Sequence, residues 1–171
     1  HLSLAASDVL KSQCGVVYPV FAQAPEARFS PACRGADVAV IARVPFDEGS
    51  LTGTLTSDTR FPEDDWRSSY FTPAHLEATL ARVQPLLPLV PEGASLPDLA
   101  LRFILSSPAV CTVIPGMRRA RHVDANMAAS GHGPLAADLA EALPAHPWHR
   151  LQTQNPKLLR SRLCRRRARK Q

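Results

Sequence analysis

Short apolar runs alternate along the chain with segments of helical periodicity. Residues 38–42 and 110–114 are mostly apolar, rich in β-branched side chains and as long as a single strand. Runs that stay apolar at successive positions are typical of parallel strands covered on both faces. We therefore predict two buried strands here, and a third short strand at residues 16–21 that Pro19 interrupts.

Helical segments separate these strands, and two of them begin with specific signals. Thr72 and Ser95 are favourable N-cap residues, and each is followed by a proline in the first turn, where a missing N–H is harmless. Apolar side chains follow at helical spacing: Leu76, Leu80, Val83 and Leu87 in the first helix, and Leu96, Leu99, Ala100, Phe103 and Ile104 in the second. Further helices are predicted at residues 29–34, 119–129 and 136–143.

Residues 47–71 show no such periodicity. They are rich in Gly, Thr, Ser and Asp, and they are too many for a plain connection, which favours a functional loop. Within this loop, the acidic residues 63–65 with Trp66 and Tyr70 form a candidate border of a substrate pocket. The alternative is that these carboxylates are simply solvated.

The order of the elements predicts the fold class. A strand, a helix, a strand, a long loop, two helices, a strand and a last pair of helices give an α/β fold, with a parallel sheet and helices outside it. Three strands cannot close a barrel, and they leave two open edges. The chain is therefore either part of a larger barrel or a protein that pairs its open edges by association, self-association included.

The positive charge is concentrated at one end of the chain. The net charge is +5, but eight of the twenty basic residues lie after position 156, and the preceding part holds twelve basic residues against fifteen acidic ones. We predict a folded domain at residues 1–150 and a basic, disordered tail at residues 151–171. The tail can bind nucleic acid through its charge, but no aromatic platform accompanies it, so nucleic acid is the less favoured partner.

Other chemical signals narrow the function classes. The sequence has no apolar run of eighteen residues, and no export signal is visible, so we expect no membrane span and a cytoplasmic protein. Four cysteines lie far apart, which argues against a zinc site or a disulfide framework and favours buried thiols. His146 and His149 have a proline between them and no evident third ligand, so we predict no metal site.

The end of the last predicted strand carries a turn with two interpretations. After Ile114 come Pro115, Gly116 and a group of arginines, and a helix follows at once. A glycine that admits close backbone approach, a helix N-terminus and a guanidinium group favour a bound phosphate. The alternative is an ordinary Pro-Gly turn with its arginines in solvent, and the spacing alone does not decide between them.

Three segments, taken together, resemble the carboxyl half of the aldo-keto reductase family. They are residues 40–53 (VIARVPFDEGSLTG), residues 99–105 (LALRFIL) and residues 112–126, which begin TVIPG. The resemblance extends over about residues 16–150. It implies a partial (β/α)8 TIM barrel, made of roughly the last three strands with their helices, and hydride transfer from NADPH to aldehydes or ketones.

The resemblance also implies which residues would bind NADP. Gly116, Met117 and Arg118 match the segment that holds the adenosine 2′-phosphate, and His122 and Asn126 match the positions that contact adenine. Arg43 falls where the family often stacks an aromatic residue on the nicotinamide, and a planar guanidinium can stack there as well. Phe46 and the turn that ends at Ser50 match the loop over the pyrophosphate.

The same resemblance leaves catalysis open. The family's catalytic Asp, Tyr, Lys and His come from the amino half of the barrel, so no catalytic residue can be assigned here. Pro19 also stands where the family usually has Asn. Two function classes remain: an aldo-keto reductase fragment that binds NADP(H) and, in a completed barrel, a small carbonyl substrate, or a non-catalytic remnant or interaction protein whose basic tail binds a partner or nucleic acid.

Overall fold

The computed structural model describes residues 13–20 and 24–143, and in them a parallel sheet of three strands. The strands are β1 (Gln13–Val17), β2 (Ala39–Arg43) and β3 (Val110–Ile114), and β2 is central. The helices are α1 (Ala24–Gly35), α2 (Trp66–Tyr70), α3 (Pro73–Val83), α4 (Leu96–Leu105), α5 (Ala120–Gly131) and α6 (Ala137–Ala142). The predicted α/β class and the parallel sheet are confirmed.

The described residues cover only one face of the sheet, and among them the prediction of strands covered on both faces is wrong. Val40 and Ala42 of β2 are fully buried on the side that the helices cover. Arg43 and most of β3, including Ile114, are exposed on the other side or at the edge, where none of the described elements covers them. The pairing between β2 and β3 is also irregular next to Cys111, which the register leaves as an extra residue in β3.

The main core lies between the covered face and the helices, with α4 at its centre. Leu99, Ala100 and Ile104 of α4 are at most 1% exposed and belong to the same core cluster as Ala42 of the sheet. This burial follows from their spacing, which places them on one side of the helix. The predicted apolar face of the second helix is therefore confirmed.

Both predicted N-caps are confirmed. The Thr72 hydroxyl accepts a hydrogen bond from the His75 backbone N–H (3.3 Å), and the Ser95 hydroxyl accepts one from the Asp98 N–H (3.2 Å). Each bond satisfies one of the N–H groups that have no partner inside a helix. The caps fix the starts of α3 and α4 at the predicted positions.

Several predicted elements have different bounds. β1 begins at Gln13 and ends before Tyr18, whose side chain is buried in the core. The predicted loop at residues 47–71 is not wholly irregular, because it holds a 3₁₀ segment at Asp47–Thr52 and the short helix α2. Local hydrogen bonds from Ser, Thr and Asp side chains form these turns without any apolar periodicity.

A polar cluster ties the turn between α5 and α6 to α4. The Arg102 guanidinium donates through Nε to the Gly133 carbonyl (2.9 Å) and through Nη2 to the Pro134 carbonyl (3.0 Å). The buried Asp98 carboxylate accepts a hydrogen bond from His132 Nδ1 (2.8 Å) and lies 3.4 Å from Arg102 Nη1. The helices of this part of the molecule are thus joined by directional bonds as well as by apolar packing.

Several predictions fall elsewhere in the chain. The predicted basic tail at residues 151–171 and the histidines 146 and 149 lie outside the described residues. Of the helices that the structure describes, none has the length and apolar character needed to cross a bilayer.

Candidate functional site

The carboxyl ends of the strands bring two predicted site segments together. β2 and β3 are parallel neighbours, and Arg43 pairs with Ile114 in the register. The segments that follow these two residues therefore leave the same edge of the sheet, which is where α/β folds bind their ligands. A Cβ placed on Gly15 would lie 3.3 Å from Arg43 Cδ, so the Arg43 side chain runs over the exposed face of the sheet beside β1.

The segment after β2 has an unusual backbone. Val44, Asp47 and Glu48 have positive φ angles of 56°, 45° and 60°, which are uncommon for residues with a side chain. The Phe46 carbonyl accepts hydrogen bonds from the N–H groups of Gly49 (2.9 Å) and Leu51 (3.1 Å). Backbone strain of this kind is often found where a loop contacts a ligand.

Polar side chains hold this loop from within. The Ser50 side chain is buried, and its hydroxyl donates to the Asp47 carbonyl (2.7 Å). The Asp47 carboxylate is buried as well and acts on Arg82 of α3: burial lowers the pKa of Arg82, while the charges of Asp47 and Tyr70 oppose that change. The Ser50 hydroxyl is thus committed to the loop itself.

The segment after β3 exposes its backbone. Gly116, Met117 and Arg118 are all exposed, and Asn126 Nδ2 donates to the Gly116 carbonyl (3.4 Å) from the middle of α5. Among the described residues, no side chain caps the N-terminus of α5. The turn can therefore offer backbone N–H groups and a guanidinium group to an anion. His122 lies half-buried on α5, one helical turn before Asn126.

An open groove of about 700 Å³ joins these two segments. It is lined by Glu48 from the segment after β2, Arg118 from the segment after β3, and Pro62, Asp64, Asp65, Trp66 and Arg67 from the long loop. Of the acidic residues 63–65 and their aromatic neighbours, Asp64, Asp65 and Trp66 thus border a groove, whereas Glu63 and Tyr70 do not line it. Glu63 and Asp64 are exposed, so the alternative of solvated carboxylates stays open.

An ion pair in the groove was not predicted. The Asp65 carboxylate accepts hydrogen bonds from the backbone N–H of Arg67 (2.9 Å) and from its guanidinium Nε (3.0 and 3.1 Å). These bonds lower the pKa of Asp65 to about 2, and the charge of Arg118 adds a smaller effect in the same direction. The only signal in the sequence is that Asp is a favourable N-cap residue before the helix that starts at Trp66.

A second depression lies away from this edge of the sheet. It has a volume of about 550 Å³, and its lining includes Arg60, Leu76, Glu77 and Gln84, mostly on the outer side of α3. None of the residues predicted to bind a nucleotide lines it. In the part of the chain that the structure describes, no group of three or more His, Cys, Asp or Glu side chains could hold a metal ion.

The carboxyl edge of this parallel sheet holds a strained loop, an exposed glycine turn and a groove that they share. Such an arrangement is typical of α/β proteins that bind ligands at that edge. The chain belongs to the aldo/keto reductase family, because the sequence model of that family matches residues 8–146. The resemblance seen in the sequence is therefore confirmed at the level of the family. No curated protein matches the chain.

Solved structures agree with this family assignment. The chain is similar to the glycerol dehydrogenase AKR11B4 from Gluconobacter oxydans, with 25% identity and a TM-score of 0.65 over 78% of this chain and 41% of that one. It also has the fold of the aldo-keto reductase AKR11C1 from Bacillus halodurans. The holo form gives 22% identity and a TM-score of 0.58 over 84% of this chain and 43% of that one, and the apo form gives 23% and 0.59 over 84% and 46%. The chain thus spans less than half the length of these relatives.

Proposed function

We propose that this chain is the NADP(H)-binding half of an aldo-keto reductase barrel, formed by roughly the last three strands of the barrel and their helices. Its match to the relatives covers 41–46% of their length, which supports a half-barrel. The exposed sheet face at Gly15, Arg43 and Ile114 supports it too, because a closed barrel would turn that face inward.

One observation carries the proposal: two segments suited to a dinucleotide share one groove. Glu48 belongs to the strained loop after β2, Arg118 belongs to the exposed turn after β3, and both line the groove. An added Cβ at Gly116 would have no neighbour within 4 Å, so a ligand can approach the backbone there. We assign the 2′-phosphate to Arg118 with the backbone of Gly116 and Met117.

The remaining contacts follow from the family resemblance. His122 and Asn126 would contact the adenine, and the Asn126 bond to the Gly116 carbonyl would hold the turn in place. Arg43 would stack on the nicotinamide, because its side chain already lies over the sheet beside Gly15. The loop that includes Phe46 and Ser50 would cover the pyrophosphate with its backbone N–H groups, since the Ser50 hydroxyl is engaged.

The role of this chain is to bind and orient the nucleotide. Members of the family generally use NAD(P)H, which supplies a hydride for the reduction of an aldehyde or ketone. The Asp, Tyr, Lys and His that the family uses for proton transfer have no counterpart among the residues assigned here. We therefore expect no turnover by this chain alone, and reduction of a carbonyl substrate only where the rest of the barrel is supplied.

Nucleotide binding tests the proposal. Titration of the full chain with NADPH and NADH, followed by calorimetry and by the thermal unfolding midpoint, should show stabilisation by NADPH. Arg118→Ala should weaken NADPH binding by about tenfold or more, because it removes a charge-assisted phosphate contact, and should hardly change NADH binding. Arg121→Ala is the matched control, because Arg121 is exposed on α5 and does not line the groove.

Two results would contradict the proposal. One is a chain that neither nucleotide stabilises at millimolar concentration. The other is an Arg118→Ala variant that binds NADPH as the parent does. Absence of nucleotide binding together with steeply salt-dependent binding of a DNA duplex would favour the interaction protein with a basic tail instead.

A further inference from the structure

One wall of the groove holds none of the residues assigned above to the nucleotide. This wall, residues 62–67, faces Arg118 and contributes a proline, two carboxylates, an indole and a guanidinium to the groove. We propose that the wall selects the phosphorylated dinucleotide: Trp66 stacks on its adenine, and Arg67 neutralises Asp65 so that Arg118 is left to bind the 2′-phosphate. This inference rests on the proposed function and concerns the specificity of the same site.

The wall is held in place by aromatic contacts that reach the core. The Arg67 guanidinium lies over the Phe61 ring, 4.6 Å from its centroid, and Phe61 stacks on the buried Phe71 with centroids 5.6 Å apart. Arg67 is also bound to the Asp65 carboxylate. Stacking and a forked hydrogen bond restrict the guanidinium to one orientation, so the wall is ordered before a ligand arrives.

Trp66 offers an apolar surface beside a charged groove. Its side chain is 55% exposed, which is unusual for a large aromatic residue. Its ring contacts Tyr70 edge to face, with centroids 5.5 Å apart at 63°. Much of the indole therefore remains open to a planar ligand, and an aromatic side chain stacks well on a nucleobase.

The charges in the groove would reject a phosphate unless they were paired. The lining holds three carboxylates, Glu48, Asp64 and Asp65, against the two guanidinium groups of Arg67 and Arg118. Arg118 is close enough to Asp65 to lower its pKa, although the bonds from Arg67 lower it more. Without Arg67, the Asp65 carboxylate would therefore compete with a phosphate for Arg118.

Charge variants at Arg67 and Asp64 test the selection in opposite directions, and a double variant tests the role of Asp65. Arg67→Gln should weaken NADPH binding about tenfold more than NADH binding, because it releases Asp65 toward Arg118. The Arg67→Gln/Asp65→Asn double variant should recover most of that loss. Asp64→Asn should tighten NADPH binding about threefold and leave NADH binding unchanged; Asp64 is exposed, so this variant keeps the test valid if Arg67→Gln fails to fold.

Trp66 has its own test. Trp66→Ala should weaken NADPH and NADH binding alike by about tenfold, since both carry adenine, and Trp66→Phe should restore most of the affinity. Adenosine 2′,5′-bisphosphate, which lacks the nicotinamide half, should show the same loss. Arg60→Gln is the control for the loop, because Arg60 bonds the carbonyls of its own turn and does not line the groove.

The outcomes separate this inference from the proposed function. If the parent chain does not bind NADPH, or binds it independently of Arg118, both are overturned. If binding depends on Arg118 but the Arg67 and Asp64 variants change NADPH and NADH affinity in parallel, or Trp66→Ala binds as the parent does, only the inference about the wall is overturned. NADPH selectivity that falls with Arg67→Gln and rises with Asp64→Asn supports it.

Discussion

Removal of the Arg102 side-chain bonds should destabilise the fold by about 3 kcal/mol. Arg102 is only 15% exposed, and its guanidinium donates to the Gly133 and Pro134 carbonyls at 2.9 and 3.0 Å. A hydrogen bond with a charged partner contributes about 1.5–3 kcal/mol. We take about 1.5 kcal/mol for each bond, because the bond to Pro134 is exposed. Arg102→Met keeps most of the aliphatic packing and removes both bonds, together with the longer contact (3.4 Å) from Arg102 Nη1 to the Asp98 carboxylate, which keeps its bond from His132.

Urea unfolding followed by circular dichroism measures this loss. With a denaturant slope of about 2 kcal/mol per molar, the midpoint of Arg102→Met should fall by about 1.5 M, while the slope itself should stay constant. Arg121→Met, on the exposed side of α5, is the matched control and should shift the midpoint little. A loss of less than about 1 kcal/mol in Arg102→Met would refute the view that these bonds join α4 to the turn after α5.

Three further predictions concern single side chains. Ser95→Ala should lower the free energy of unfolding by about 1 kcal/mol in the same urea experiment, because it removes the cap of α4; an unchanged midpoint would contradict this. An NMR titration should give Asp65 a pKa of about 2, returning toward its ordinary value of 3.8 in Arg67→Gln. Because the pKa is lowered by folding, the stabilising effect of the pair should be complete above pH 3.8 and lost as the pH falls through about 2. Alkylation followed by peptide mass spectrometry should label the exposed Cys111 well before Cys33, since burial, helped by the nearby Cys14, raises the pKa of the Cys33 thiol; equal labelling would show that the thiol of Cys33 is not protected.

Local signals in the sequence predicted much of the fold. Thr72 and Ser95 cap helices at the expected positions, because a cap requires only a hydroxyl and an N–H three residues later. The bounds of β3 agree with the apolar run at residues 110–114. Such features depend on neighbours within one turn or one strand, and the sequence displays those neighbours directly.

Coverage of the strands was not predictable in the same way. The apolar content of β3 predicted burial, yet Cys111, Thr112 and Ile114 are exposed. An apolar run indicates that a strand can be buried on both sides, but the described elements cover only one side of this sheet. The bulge beside Cys111 depends in turn on how two strands distant in sequence pair.

The candidate site was likewise predictable where it depends on local sequence, and not where it depends on contacts between distant segments. The sequence alone predicts a nucleotide-binding role for residues 113–126 and for the segment around Phe46. The parallel pairing of Arg43 with Ile114 brings the two segments to one edge of the sheet. No role was predicted for Arg67, because its contribution depends on a groove that forms only when the long loop folds back toward Arg118.

The strained loop after β2 links stability to the proposed binding. Positive φ angles at Asp47 and Glu48 cost on the order of 1 kcal/mol each or more, and they persist only where other contacts hold them. The buried carboxylate of Asp47 provides such a contact, because Arg82 of α3 lies close enough for their charges to interact. The Ser50 hydroxyl and the Phe46 carbonyl close the turn from the other side. The loop is thus fixed before any ligand binds, so little conformational entropy remains to be lost on binding. Under the proposed function, such a preorganised loop gains affinity for the nucleotide, which accounts for an uncommon backbone conformation at this edge of the sheet.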